Sequence, residues 1–171
     1  MRKILLVVFP LLLLVASSTV LAKGKTTKIV IEGPDLSKPI EIIDPDVLAR
    51  FNVWAGPGTS STRQRANTNS PSFIVDWSRE QTTHPPDGLA KYQVAFYTER
   101  QNDHPSYVVD YVLAPGANRG FVYLPGPSDK WWKVNTFSIV RGGEGNWFFA
   151  SGAWEAVARP LIEKARTASK S

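Results

Sequence analysis

Asp76, Glu99 and Asp110 lie in or at the ends of segments with strand-like alternation. Two of them brought within several ångströms of each other would suit acid/base hydrolysis, although polar strand residues more often face water. Lys130-Trp131-Trp132-Lys133 offers different chemistry. Flat indoles beside cations stack on sugar rings and hold anionic substituents, while the packed alternative has one indole in the core and the other shielding a sheet edge. A third group runs from Trp54 to Arg65, W-A-G-P-G-T-S-S-T-R-Q-R. Its glycines would expose backbone N–H groups, and its hydroxyls with Arg63 and Arg65 would meet an anion. It lacks the lysine and spacing of a phosphate-cradling P-loop, and the same glycines would also serve a solvated loop that only turns the chain. His84 and His104 each precede a proline, apart from any carboxylate cluster, so neither a metal site nor a cofactor is expected. Neither H-E-x-x-H nor G-x-S-x-G occurs.

The elements that must position these groups are read from periodicity. Ile29 to Ile31 and Ile40 to Ile43 are short β-branched runs around Gly33-Pro34-Asp35 and are expected to pair. Asp44-Pro45-Asp46 suits a helix start, with Asp44 as cap and Pro45 in the first turn, and predicts a short helix from Pro45 to Phe51. Residues 53–72 form a long Gly/Ser/Pro/Arg-rich loop without an apolar period. Phe73 to Trp77 reads as a strand. Tyr92 to Tyr97 and Tyr107 to Leu113 alternate with a period of about two, and with Phe121 to Leu124 they predict an antiparallel meander. A further strand is expected from Thr136 to Val140, before the turn Arg141-Gly142-Gly143-Glu144-Gly145. Trp154, Val157, Leu161 and Ile162 follow a helical period after Ser151, and Pro160 inside that run predicts a kink or a break. The expected fold class is α+β, mainly antiparallel sheet with one short helix and a C-terminal helix.

Arg2 and Lys3, the apolar run from Ile4 to Val15 and the small residues ending at Ala22 have the layout of a secretory leader, so residues 1–22 are expected to be a signal peptide. A retained anchor is the competing reading, and Pro10, Ser17, Ser18 and Thr19 argue against it. Cleavage would leave residues 23–171 as one secreted domain with no further membrane segment. The chain has no cysteine, which excludes disulfides and thiolate metal sites and leaves packing to hold the fold. Six Trp, eight Phe and five Tyr supply much of that core. The net charge of +5 is too small a basic bias to imply nucleic acid.

The stretch I29-V-I-E-G-P-D-L-S-K-P-I-E-I-I-D-P-D-V-L48, the segment F51-N-V-W-A-G-P-G-T59 and the turn R141-G-G-E-G-N-W147 resemble an uncharacterised family of small secreted bacterial proteins. The resemblance implies one secreted domain and assigns no chemistry. The leading expectation is a noncatalytic module that binds a glycan or an anionic cell-envelope surface outside the cytoplasm, through Trp131, Trp132, Arg63 and Arg65. The alternative is a small extracytoplasmic hydrolase that uses Asp76, Glu99 or Asp110.

Overall fold

Each isoleucine run closes on the other. In the computed structural model, which describes residues 24–59, 72–85, 87–114, 116–117 and 119–169, β1 (Thr26–Glu32) pairs antiparallel with β2 (Ile40–Ile42) through Ile29 with Ile42 and Ile31 with Ile40. Residues 1–22, Arg63 and Arg65 lie outside the described residues. Asp44 then accepts from the backbone N–H groups of Asp46 and Val47 and starts α1 (Pro45–Leu48). This helix stops short of the expected Phe51, which instead lies fully buried in the core.

The alternating aromatic and aliphatic segments form β3 (Lys91–Thr98), β4 (Tyr107–Val112) and β5 (Phe121–Tyr123), and Trp147–Phe149 adds β6. The result is one six-stranded antiparallel sheet in the order β2-β1-β3-β4-β5-β6. Strands β3 to β6 follow the meander, while β1 inserts beside β3 and leaves β2 at the edge. Period-two alternation sorts the side chains: Ile29, Ile31, Val94, Phe96, Tyr107, Val109, Tyr111, Val122 and Phe148 face one core. Against that face lies α3 (Gly152–Ala168), capped by Ser151 and contributing Trp154, Ala158 and Ile162.

Three expectations about elements are corrected. The strand expected from Thr136 to Val140 does not form: Thr136 to Ser138 end the helix α2 (Trp132–Ser138), and Ile139 and Val140 belong to no strand. What decides this is Asn135, fully buried against the edge of β4. Its Oδ1 accepts from the Val108 N–H at 2.8 Å and its Nδ2 donates to the Val108 carbonyl at 2.6 Å, so one carboxamide replaces a neighbouring strand where β5 has ended. Phe73 to Trp77 is not a regular strand either. Among the described residues its chain makes only single bridges, Ser72 to Phe51 and Val75 to Ala150, and Phe73, Ile74 and Val75 are all buried in the core. Finally, Pro160 does not split α3, which runs as a single 17-residue helix. The N–H that Pro160 lacks would have donated to the Ala156 carbonyl, and both residues are exposed, so solvent can supply the missing donor.

Candidate functional site

The outer face of the sheet, away from α3, is built from the residues that alternate with the core. Register sets Glu32, Gln93, Asp110, Tyr123 and Trp147 side by side across β1, β3, β4, β5 and β6. Two residues further along the strands, Lys91, Val112, Phe121 and Phe149 make a parallel row. At the β5–β6 end the two rows become an aromatic platform. Tyr123 and Trp147 lie 5.0 Å apart by ring centroids and Phe121 and Phe149 5.6 Å apart, tilted by 36° and 33°. All four are half-buried, whereas the intervening Val122 and Phe148 are buried in the core.

Polar groups rim this platform. Lys91 and Asp110 form an ion pair at 2.9 Å, and the Tyr123 hydroxyl donates to Asp129 at 2.8 Å. Burial and the acceptor carboxylate of Asp129 together push the Tyr123 hydroxyl above its usual range. Arg79 stands over Phe149 with its guanidinium carbon 5.4 Å from the ring centroid, and His84 meets Trp147 edge-on at 5.1 Å. On the side toward β1, Trp131 roofs the face: its indole packs on Val30, Ala95 and Val108 and donates to Gln93 at 2.7 Å. Lys130 Nζ lies 4.5 Å from the Trp131 ring. Trp132, one residue further along, is half-buried at the start of α2.

The three carboxylates singled out by sequence do not converge. Asp110 lies on the outer face of β4, and Asp76 lies beyond β6, its N–H bonded to the Phe149 carbonyl. That separates them by three strand spacings, roughly 14 Å. Glu99 follows the far end of β3, six residues past the Gln93 that faces Asp110, or about 20 Å along the strand. There it accepts from the backbone N–H of Lys25 at 3.1 Å. Burial alone would raise the pKa of Asp76, but the Ser78 hydroxyl and Arg119, whose Nη1 is 2.6 Å away, hold the carboxyl below its ordinary value. A general acid needs the opposite shift.

Other buried polar groups are spent on structure. Glu155 on α3 accepts from the Tyr111 hydroxyl and the Gly120 N–H, both at 2.8 Å, and from Arg159 Nη2 at 2.6 Å, so its acceptor sites are filled and the helix is pinned to the sheet. Burial and the neighbouring Glu155 carboxylate push the Tyr111 pKa far up. Arg141 is buried, and among the described residues no carboxylate pairs with its guanidinium. It donates instead to the Tyr107 hydroxyl at 3.1 Å and to the carbonyls of Ala55 at 2.9 Å, Pro57 at 3.2 Å and Val53. It also lies 4.4 Å from the Phe73 ring and 5.0 Å from that of Tyr107. In this way it ties down the segment from Val53 to Pro57. Gly58 there has φ of 73°, and a Cβ at that position would run into the Val140 carbonyl oxygen.

Among the described residues no group of three His, Asp or Glu is placed to hold a metal, and no helix is long and apolar enough to cross a membrane. The aromatic platform escaped the sequence reading, although its signal is present as F121-V-Y123, with rings at alternate positions, and W147-F-F149, with a ring at each. Which face each ring takes follows only from the register. Compared with protein-family models, curated proteins and solved structures, the chain matches none.

Proposed function

We propose that this chain is a noncatalytic binding module for a glycan outside the cytoplasm, engaging it with the outer face of its sheet. The observation that carries the reading is the pairing of Tyr123 with Trp147 and of Phe121 with Phe149 beside Asp110, Gln93 and Lys91. A sugar ring has apolar C–H faces and a hydroxyl rim, and this surface offers ring faces bordered by a carboxylate, a carboxamide and an ammonium. Two residues along a strand span about 7 Å and one strand spacing about 4.8 Å, so the platform accommodates one or two sugar rings. Half-exposed aromatic clusters of this kind are uncommon on surfaces without a partner. The leader-like residues 1–22 support an exported compartment, where envelope and extracellular polysaccharides are the abundant ligands.

The test is retention of the purified chain on insoluble polysaccharides, including peptidoglycan, with soluble fragments as competitors. Trp147→Ala with Phe149→Ala is expected to weaken retention at least about tenfold, as loss of two stacking faces implies. Trp132→Ala tests the neighbouring indole separately. Failure of every glycan to retain the chain, or equal retention of the double variant with unchanged melting temperature, would overturn the reading. Cell fractionation checks the compartment, since an unprocessed cytosolic chain contradicts it.

A further inference from the structure

A cavity of about 360 Å³ opens at the opposite end of β3 and β4 from Lys91, between the β3–β4 turn, the end of α2 and Trp54. Two of its walls are aromatic. Trp54 donates its indole N–H to the Gly24 carbonyl at 3.0 Å, which fixes the ring in place. Phe137 on α2 is 85% exposed, the most exposed large apolar side chain among the described residues. The floor is polar but already satisfied: the hydroxyls of Thr98 and Ser106 bond to each other at 2.7 Å, and Ser138 Oγ donates to the Ser106 carbonyl at 2.7 Å. What remains unspent is a cation. Arg100 lines the cavity, and its guanidinium makes no hydrogen bond or ion pair among the described residues.

We propose that this cavity is a second ligand site, separate from the sheet face, that takes a small aromatic carboxylate. The planar body would cover Phe137 and meet Trp54, removing from water the most exposed aromatic ring, while the carboxylate would receive the paired N–H groups of Arg100. The volume lies at the small end of ligand pockets, which suits one bicyclic ring and excludes a polymer. A cation would be repelled by the unpaired guanidinium, and a neutral sugar would leave its charge uncompensated.

Indole-3-acetate and its neutral analogue indole-3-acetamide are the probes, titrated into the isotope-labelled chain and followed by amide NMR. Saturable shifts are expected at Gln101, Ser106 and Ser138, with the acetate binding at least about fivefold more tightly than the acetamide and losing that advantage in high salt. Arg100→Gln should bring the acetate down to the level of the acetamide, and Phe137→Ala should weaken both. Arg100 and Phe137 are exposed, so neither variant threatens the fold, and unchanged melting temperatures check this. Trp147→Ala should leave this binding intact, which separates it from the glycan reading. Absence of saturable shifts, equal affinity for acetate and acetamide, or an unaffected Arg100→Gln would each overturn the proposal.

Discussion

Replacing Arg141 tests whether its guanidinium is held for its shape or for its charge. Burial lowers its pKa, with partial compensation from Tyr107 and Glu144, yet its own hydrogen bonds go to a hydroxyl and three backbone carbonyls. Arg141→Met keeps the apolar stem and removes every donor. Val53 is fully buried, so its orphaned carbonyl has no access to solvent and costs about 1–3 kcal/mol. The Tyr107 hydroxyl loses a partner at about 1 kcal/mol, and the contacts with the faces of Phe73 and Tyr107 contribute about 1–2 kcal/mol more. Ala55 and Pro57 are only half-buried, so solvent partly replaces what their carbonyls lose. Relief from burying a cation returns part of the sum, leaving a net loss of about 3 kcal/mol. In a chain of this size that lowers the melting temperature by roughly 6–12 °C. Arg141→Lys is the discriminating variant. It retains the charge, but an ammonium cannot span carbonyls from Val53 to Pro57, so it should be no more stable than Arg141→Met. Thermal melts supply the magnitude, and native-state hydrogen exchange supplies the location: the amides around Trp54 to Gly58 should lose protection in both variants. A lysine variant within about 1 kcal/mol of the parent would refute the argument from shape.

The edge of β4 offers a second test. Asn135→Leu strands both the N–H and the carbonyl of buried Val108 and should cost about 2–4 kcal/mol in urea unfolding, whereas a loss below about 1 kcal/mol would mean that the carboxamide does not substitute for a strand. The alkaline limb is set in part by Tyr92, whose pKa is pushed up from 10.0 to about 12 by burial and by its hydrogen bond to Asp35. Because the folded value is raised, its contribution is complete below pH 10 and is lost as pH climbs toward 12. Tyr92→Phe should therefore flatten the fall in denaturation midpoint across that window, and parallel curves for the two proteins would contradict this assignment.

Strand segments with clean alternation were legible in the sequence, because a sheet with one buried face demands a period of two whatever its partners are. Tyr92 to Tyr97 and Tyr107 to Val112 are the clearest cases. Local capping chemistry was equally readable, since Asp44 and Ser151 act on N–H groups only two or three residues away. The absence of cysteine and the wealth of aromatic rings settled in advance that packing would hold this fold. The helix that takes in Thr136 to Ser138 was beyond local reasoning: Thr136, Phe137, Ile139 and Val140 favour a strand, and the preference yields to one long-range contact between Asn135 and Val108. The same holds for the site. That Asp76, Glu99 and Asp110 stand apart, that Trp131 roofs the sheet, and that rings from β5 and β6 meet on one surface all follow from strand order and register. Those are decided by which segments pair across tens of residues, and a one-residue slip would send every ring to the other face.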